Sequence, residues 1–156
     1  MTALVVYDSR YGNTAEIAKN IASAIPGGAD VRLLADVDAA TLPKVDLLVV
    51  GSPTHGGRPT PAMQAWLKRV PAAALANVRC AAFDTRLPTL DQNLALRWLM
   101  RVIGFAAPRI AKTLVLRRGV LATAPAGFLV DGSEGPLREG ERERAATWAG
   151  ALASDR

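Results

Sequence analysis

Cysteine and histidine occur once each in this sequence, aromatic residues make up only 5% of it, and its apolar residues never run long. The lone thiol, Cys80, excludes an internal disulfide and fits a reducing compartment. No apolar stretch approaches the ~18 residues of a transmembrane helix, so a spanning protein is excluded. So few aromatics offer no stacking platform for bases, which argues against a nucleic-acid-binding module despite a formal charge of +5. Met1 leads straight into an apolar stretch without a basic leader, and the expected location is the cytoplasm, with attachment to the inner face of the membrane left open.

The 156 residues, half of them apolar, suffice to bury the core of one α/β domain spanning 1–156. Strand-like and helix-like segments alternate. The apolar run 3–7 reads as a strand, and Ile17, Ile21 and Ile25 then mark one helical stripe that Pro26-Gly27-Gly28 stops. Residues 30–34 form a second strand, and 46–50 a third with the profile of one buried on both faces. Thr60-Pro61 offers a cap and a first-turn proline for a helix that buries Met63, Trp66, Leu67 and Val70. A fourth strand is expected over 78–84 and a helix from about Ala107, with Gly119 as its stop. The fifth strand, 120–130, should be interrupted at Pro125-Ala126-Gly127. A last helix over 139–152 should bury Ala145, Trp148 and Leu152, with Glu141 and Arg144 in solvent. Five strands alternating with helices imply a doubly wound parallel sheet, helices on both faces, with ligands bound where the strands end.

The loops after strands one, three and four therefore decide the function. The first, Asp8-Ser9-Arg10-Tyr11-Gly12-Asn13-Thr14, runs directly into a helix. Its small and hydroxyl residues let several backbone N–H groups converge on one anion at a helix N-terminus, and a phosphate is the obvious occupant. It is neither a G-x-G-x-x-G turn nor a P-loop with its lysine, which argues against a dinucleotide and against nucleoside triphosphate hydrolysis. The second loop, Gly51-Ser52-Pro53-Thr54-His55-Gly56-Gly57-Arg58-Pro59, sets paired glycines and two prolines around the only histidine. Glycines permit close approach to a flat ligand and prolines hold that approach rigid. The third begins at Phe83-Asp84-Thr85-Arg86-Leu87. A response-regulator receiver shares the alternation but needs an acidic pair after strand one and an aspartate after strand three. Asp8 stands alone and Gly51-Ser52 fill the second place, so that reading is rejected.

The three loops in this order resemble those of the flavodoxin family. Ser9, Gly12 and Thr14 match the family's phosphate loop, from which Tyr11 departs, and the segments at Pro53 and Asp84 are similar to its second and third flavin loops. The stretches 128–132 and 135–141 resemble a subgroup of small bacterial flavodoxin-like proteins. The resemblance implies a sheet order of 2-1-3-4-5 and FMN as the cofactor of an electron-transfer protein or oxidoreductase. Ser9, Arg10, Tyr11, Gly12, Asn13 and Thr14 would then hold the phosphate. Pro53, Thr54, His55, Gly56 and Gly57, with Asp84, Thr85, Arg86 and Leu87, would flank the isoalloxazine. Where the family stacks aromatic rings, this chain has His55 and Leu87, which argues against a carrier of very low potential. His55 is left to stack, to donate a proton or hydrogen bond, or to cap its loop. Arg86 is left to stabilise an anionic flavin, to bind an acidic substrate or to lie in solvent.

Residues 88–103 interrupt the resemblance. As a helix from Leu94 to Ile103 the segment places Arg97 and Arg101 on one face and apolar residues over nearly all the rest, so it is not an ordinary solvated surface element. It is expected to pack on its own domain, to form a homodimer, or to dock a membrane or partner beside the flavin, in character like flavodoxin-like protoporphyrinogen oxidases. From Arg97 to Arg118 there are six basic residues and no acidic one, so the rest of the chain sums to −1 against the total of +5. That local basicity points to an acidic redox partner or an anionic membrane, met through Arg97, Arg101, Arg109 and Lys112. An interaction domain without flavin is the remaining alternative.

Overall fold

A computed structural model of the chain describes residues 1–88 and 93–154; positions 89–92 of the insert lie outside the described residues. Strands β1 (Ala3–Tyr7), β2 (Asp30–Leu33), β3 (Leu47–Pro53), β4 (Arg79–Arg86), β5 (Val120–Leu121) and β6 (Ala126–Leu129) are interleaved with helices α1 (Asn13–Ala24), α2 (Pro61–Arg69), α3 (Leu94–Ile103), α4 (Ala106–Leu116) and α5 (Glu141–Leu152). All strand pairs are parallel and the sheet runs β2-β1-β3-β4-β5, with β6 also paired to β4. The order is the one expected.

Side chains alternate across the sheet, and both faces are buried. Leu4, Val6, Leu48, Val50, Cys80 and Ala82 face α2 and α4, where Met63, Trp66, Ile110 and Leu114 cover them. Val5, Leu47, Val49, Ala81 and Phe83 face α1 and α5, covered by Ile17, Ile21, Ala145, Ala149 and Leu152. The Thr60-Pro61 signal works as expected: the Thr60 hydroxyl accepts the Met63 N–H at 3.2 Å and Pro61 opens α2.

Four local expectations are corrected. The fifth strand breaks at 122–125 rather than at Pro125-Ala126-Gly127. Cys80 pairs with Leu121 and Phe83 with Ala126, so two extra residues bulge out before Ala126 rejoins the ladder. Gly127 is a strand residue paired with Asp84, and the Arg86 side chain lies on it; a Cβ there would come within 2.1 Å of Arg86 Nε. Strand β4 runs to Arg86, so Asp84, Thr85 and Arg86 belong to the strand and not to the loop after it. Helix α4 is stopped by Arg118 in the left-handed region (φ 72°), with the Gly119 and Arg118 N–H groups on the carbonyls of Leu114 and Val115. Gly119 itself is required by contact, since a Cβ would meet Cys80 Sγ at 2.6 Å. Finally, Glu141 does not face solvent. It is 7% exposed and accepts the Leu129 N–H at 2.6 Å, an edge-strand donor that no further strand takes up, as well as the Arg144 guanidinium. Trp148 in the same helix is half-buried, while Arg144 is exposed as expected.

Candidate functional site

The carboxyl ends of β1, β3 and β4 bring the three loops together. Tyr7 ends β1, and Gly12, at φ 92°, turns the chain into α1 without strain. The Ser9 hydroxyl accepts the N–H groups of Gly12 (3.2 Å) and Ala15 (3.3 Å), so two donors already converge on one oxygen at the helix N-terminus. Asp8 ties this loop to the next: it accepts the Ser9 N–H at 3.0 Å and the Thr60 hydroxyl. Thr14 is buried, its hydroxyl 2.8 Å from that of Thr85, which locks the start of α1 to β4.

The second loop folds back in a tight turn. His55 and Arg58 exchange both backbone hydrogen bonds, at 2.8 and 3.1 Å, with Gly56 (φ 56°) and Gly57 (φ 76°) between them. A two-residue turn of this kind needs positive φ at both central positions, which is the physical reason for the glycine pair. Gly57 also lies under the end of α3: a Cβ would sit 2.0 Å from Ile103 Cγ2. Thr54 donates its N–H to the Thr85 carbonyl at 2.9 Å, and its hydroxyl accepts the Ala106 N–H at 3.0 Å. The His55 Nε2 atom is buried with no hydrogen-bond partner among the described residues. Burial, then the nearby Arg10 charge, holds the imidazole below its usual pKa of 6.5, and Asp8 offsets part of this.

Asp84 is fully buried. It accepts Arg86 Nε and Nη2 at 2.6 and 2.7 Å and the Ala107 N–H at 2.9 Å, while the Arg86 guanidinium lies 3.7 Å from the Phe105 ring centroid. Arg86 is thus neither a solvated arginine nor a free cation. Its side chain, 20% exposed, clamps the end of β4 to the start of α4.

Between the loops lies a cavity of about 270 Å³. Arg10, Tyr11, Asn13 and Thr14 line it from the first loop, Pro53, Thr54, His55 and Gly56 from the second, and Thr85, Arg86 and Leu87 from the third. Of the other expected residues, Ser9 and Gly12 shape the first loop behind the wall, Gly57 is turned to α3, and Asp84 lies beneath. Two lining residues, Val130 and Ser133, were not anticipated. They come from the connection after β6, which closes on itself through a Val130–Leu137 bridge and receives the Asn13 side-chain amide on the Glu134 carbonyl at 3.1 Å. The turn-forming string Asp131-Gly132-Ser133-Glu134-Gly135-Pro136 was the available signal, but its place beside Asn13 is a tertiary fact. A second cavity of about 300 Å³, between 42–45 and 74–78, has Lys44 as its only charged lining residue among the described residues.

The sequence matches a family model described as a flavodoxin domain over residues 4–112. The chain belongs to the flavodoxin family. FMN is the cofactor of that family, and the strand order found here is its fold. An archaeal flavodoxin superposes with a TM-score of 0.76 at 20% identity, covering 98% of this chain and 96% of that one. Flavodoxin 2 from Bacillus cereus gives 0.76 at 20%, covering 98% of each chain. Rubredoxin oxygen:oxidoreductase from Desulfovibrio gigas gives 0.73 at 17%, over 97% of this chain but 35% of that one. No curated protein matches the sequence. In this member of the flavodoxin family the cavity between the three loops is the place to test for a flavin, and its residues fit one. Two converging N–H donors at a helix N-terminus suit a phosphate, and an imidazole nitrogen buried without a partner suits a polar ligand edge.

Proposed function

We propose that this single-domain flavodoxin holds FMN in the 270 Å³ cavity and passes electrons between redox partners. The observation that carries the reading is the Ser9 hydroxyl gathering the Gly12 and Ala15 N–H groups opposite the glycine turn that bears His55. Bound FMN would supply the redox chemistry, accepting and donating one or two electrons. The chain's part is to bind and orient. Gly12 and Ala15 would turn their N–H groups from the Ser9 hydroxyl to the phosphate, with Asn13 holding the Ser133 connection closed beside it. The His55–Gly57 turn and Leu87 would flank the ring, and the neutral imidazole would offer its Nε2 to a polar atom of the ligand. Arg86, engaged by Asp84 and Phe105, would hold the wall in place rather than offer its charge to the ring. The test compares FMN with riboflavin, which lacks the phosphate. Affinity for FMN should be at least about tenfold higher, since charge-assisted bonds to the phosphate are lost with riboflavin; equal affinities would refute the role given to the first loop.

A second reading concerns where the electrons go, and the exposure of α3 favours it. Leu94 (80% exposed), Trp98 (65%) and Val102 (66%) form one outward stripe beside Leu99 that the described residues leave uncovered. Arg101, Arg109 and Lys112 are exposed, Arg97 is half-buried, and none of the four has a carboxylate partner among the described residues. Such a face suits an anionic membrane surface, with a quinone- or porphyrin-type substrate, more than a purely acidic protein, because arginines flanking a tryptophan-bearing apolar stripe are the pattern of an interfacial helix. Sedimentation with anionic vesicles, weakened by charge reversal at Arg97 and Arg101, supports that assignment. Solution dimerisation through α3 without vesicle binding would oppose it.

A further inference from the structure

On the α2 and α4 side of the sheet, apart from the cavity at the strand ends, a groove of about 200 Å³ is lined by Arg58, Lys68, Arg109 and Arg117 and, among the described residues, by no carboxylate. Gln64 and Thr113 add neutral polar groups. Like charges gathered in so small a space repel one another, and no acidic side chain among the described residues pairs with any of the four. Two of them are steered by backbone carbonyls: Arg109 Nη2 donates to Ile103 at 2.9 Å, and Arg117 Nη2 to Lys68 at 3.4 Å. The second bond fixes one arm of the Arg117 fork, while its Nε is buried with no acceptor among the described residues. The cluster of unpaired cations calls for an oxyanion.

We propose that this groove is an anion-binding site for a phosphate group, with the Arg117 guanidinium, Lys68 and Arg58 supplying the charge for its oxygens. Arg117 supplies directional donors, and the ammonium of Lys68 and the guanidinium of Arg58 supply mobile charge at the mouth, where both side chains are exposed. Arg58 closes the same backbone turn that carries His55, so an occupant of the groove bears on the loop assigned to the flavin. The phosphate has two sources, a free phosphorylated molecule or a lipid headgroup, and the groove's chemistry is the same for both. The site stands on its own cations and does not require that the other cavity bind FMN.

The test uses the full chain with and without added FMN. Inorganic pyrophosphate is titrated calorimetrically at low ionic strength, in parallel with sedimentation on phosphatidylglycerol vesicles and on phosphatidylcholine vesicles. Wild type should bind pyrophosphate, phosphatidylglycerol vesicles or both, and a Lys68→Gln/Arg117→Gln variant should lose about tenfold or more in that affinity while its FMN affinity stays unchanged. Arg117→Lys, which keeps the charge but not the fork, should fall between. Pyrophosphate binding identifies a free phosphate as sufficient; binding to phosphatidylglycerol alone, weakened in the Lys68→Gln/Arg117→Gln variant, assigns the headgroup. If Arg117→Gln does not fold, Lys68→Gln/Arg109→Gln at two exposed positions carries the same expectation. No binding of either probe at millimolar concentration, undiminished binding by the variants, or tighter binding of polyglutamate than of pyrophosphate would overturn the proposal.

Discussion

Replacing Gly57 by alanine probes the join between the flavin-side turn and the helix that follows β4. Two separate costs arise. At φ 76° an alanine pays about 1–2 kcal/mol for the left-handed region. Its Cβ would also lie 2.0 Å from Ile103 Cγ2 and 3.0 Å from the carbonyl oxygens of Ile103 and Gly104. A normal carbon contact is about 3.5–4.0 Å, so the overlap has to be relieved by moving the end of α3, at an overpacking cost of about 1–3 kcal/mol. Gly57→Ala should therefore destabilise by about 2–5 kcal/mol. Truncating Ile103 to alanine in the same chain removes the clash with its methyl group and leaves the backbone cost. A double-mutant cycle in urea, followed by circular dichroism, should accordingly show a favourable coupling of about 1–3 kcal/mol between the two substitutions. A loss below about 0.5 kcal/mol for Gly57→Ala, or additive effects in the cycle, would show that α3 does not rest on this turn.

Asp84→Asn breaks a fully buried carboxylate's pair with Arg86 and should cost about 3 kcal/mol in urea unfolding; a cost under about 1 kcal/mol would remove the clamp assigned to that pair. Burial pushes the Cys80 thiol up to about 12, so Ellman's reagent at mildly alkaline pH should find no thiol in the native protein and one after unfolding in urea; rapid native reaction contradicts the packing around Gly119. His55 titrates below its unfolded value of 6.5, so the unfolded chain takes up its proton first. Its contribution to stability is complete above about pH 6.5 and is lost as the pH falls from there through the folded pKa. As the only histidine, it gives one imidazole NMR signal, and a midpoint at or above 6.5 would contradict its buried environment.

The parts of the fold that could be read in advance are those written locally. The apolar run through β3, the Ile17/Ile21 stripe and the Thr60-Pro61 start each depend on neighbours in sequence. Errors arose where a distant partner decides. Glu141 looks like an ordinary first-turn acid of a surface helix, but the Leu129 N–H on the sheet edge draws it inside. Gly119 looks like a helix stop, yet Arg118 takes the left-handed position and the glycine makes room for Cys80. The site divides in the same way. Loops one to three were legible because each follows its own strand directly. The wall at Val130 and Ser133 was not, since it is held by an Asn13 contact spanning 121 positions. Arg86 could not be assigned from sequence, because Asp84, two residues earlier on a strand and hence on the same face, captures it only if β4 continues that far.

The central claim is that the cavity between the three loops binds FMN, and the most direct measurement is a titration of the flavin-free chain with FMN followed by flavin fluorescence and the visible spectrum. Saturation at one FMN per chain in the micromolar range, with quenched emission and a structured, shifted absorption band, is the predicted result. Unchanged emission and spectrum in the presence of excess protein at those concentrations would contradict it.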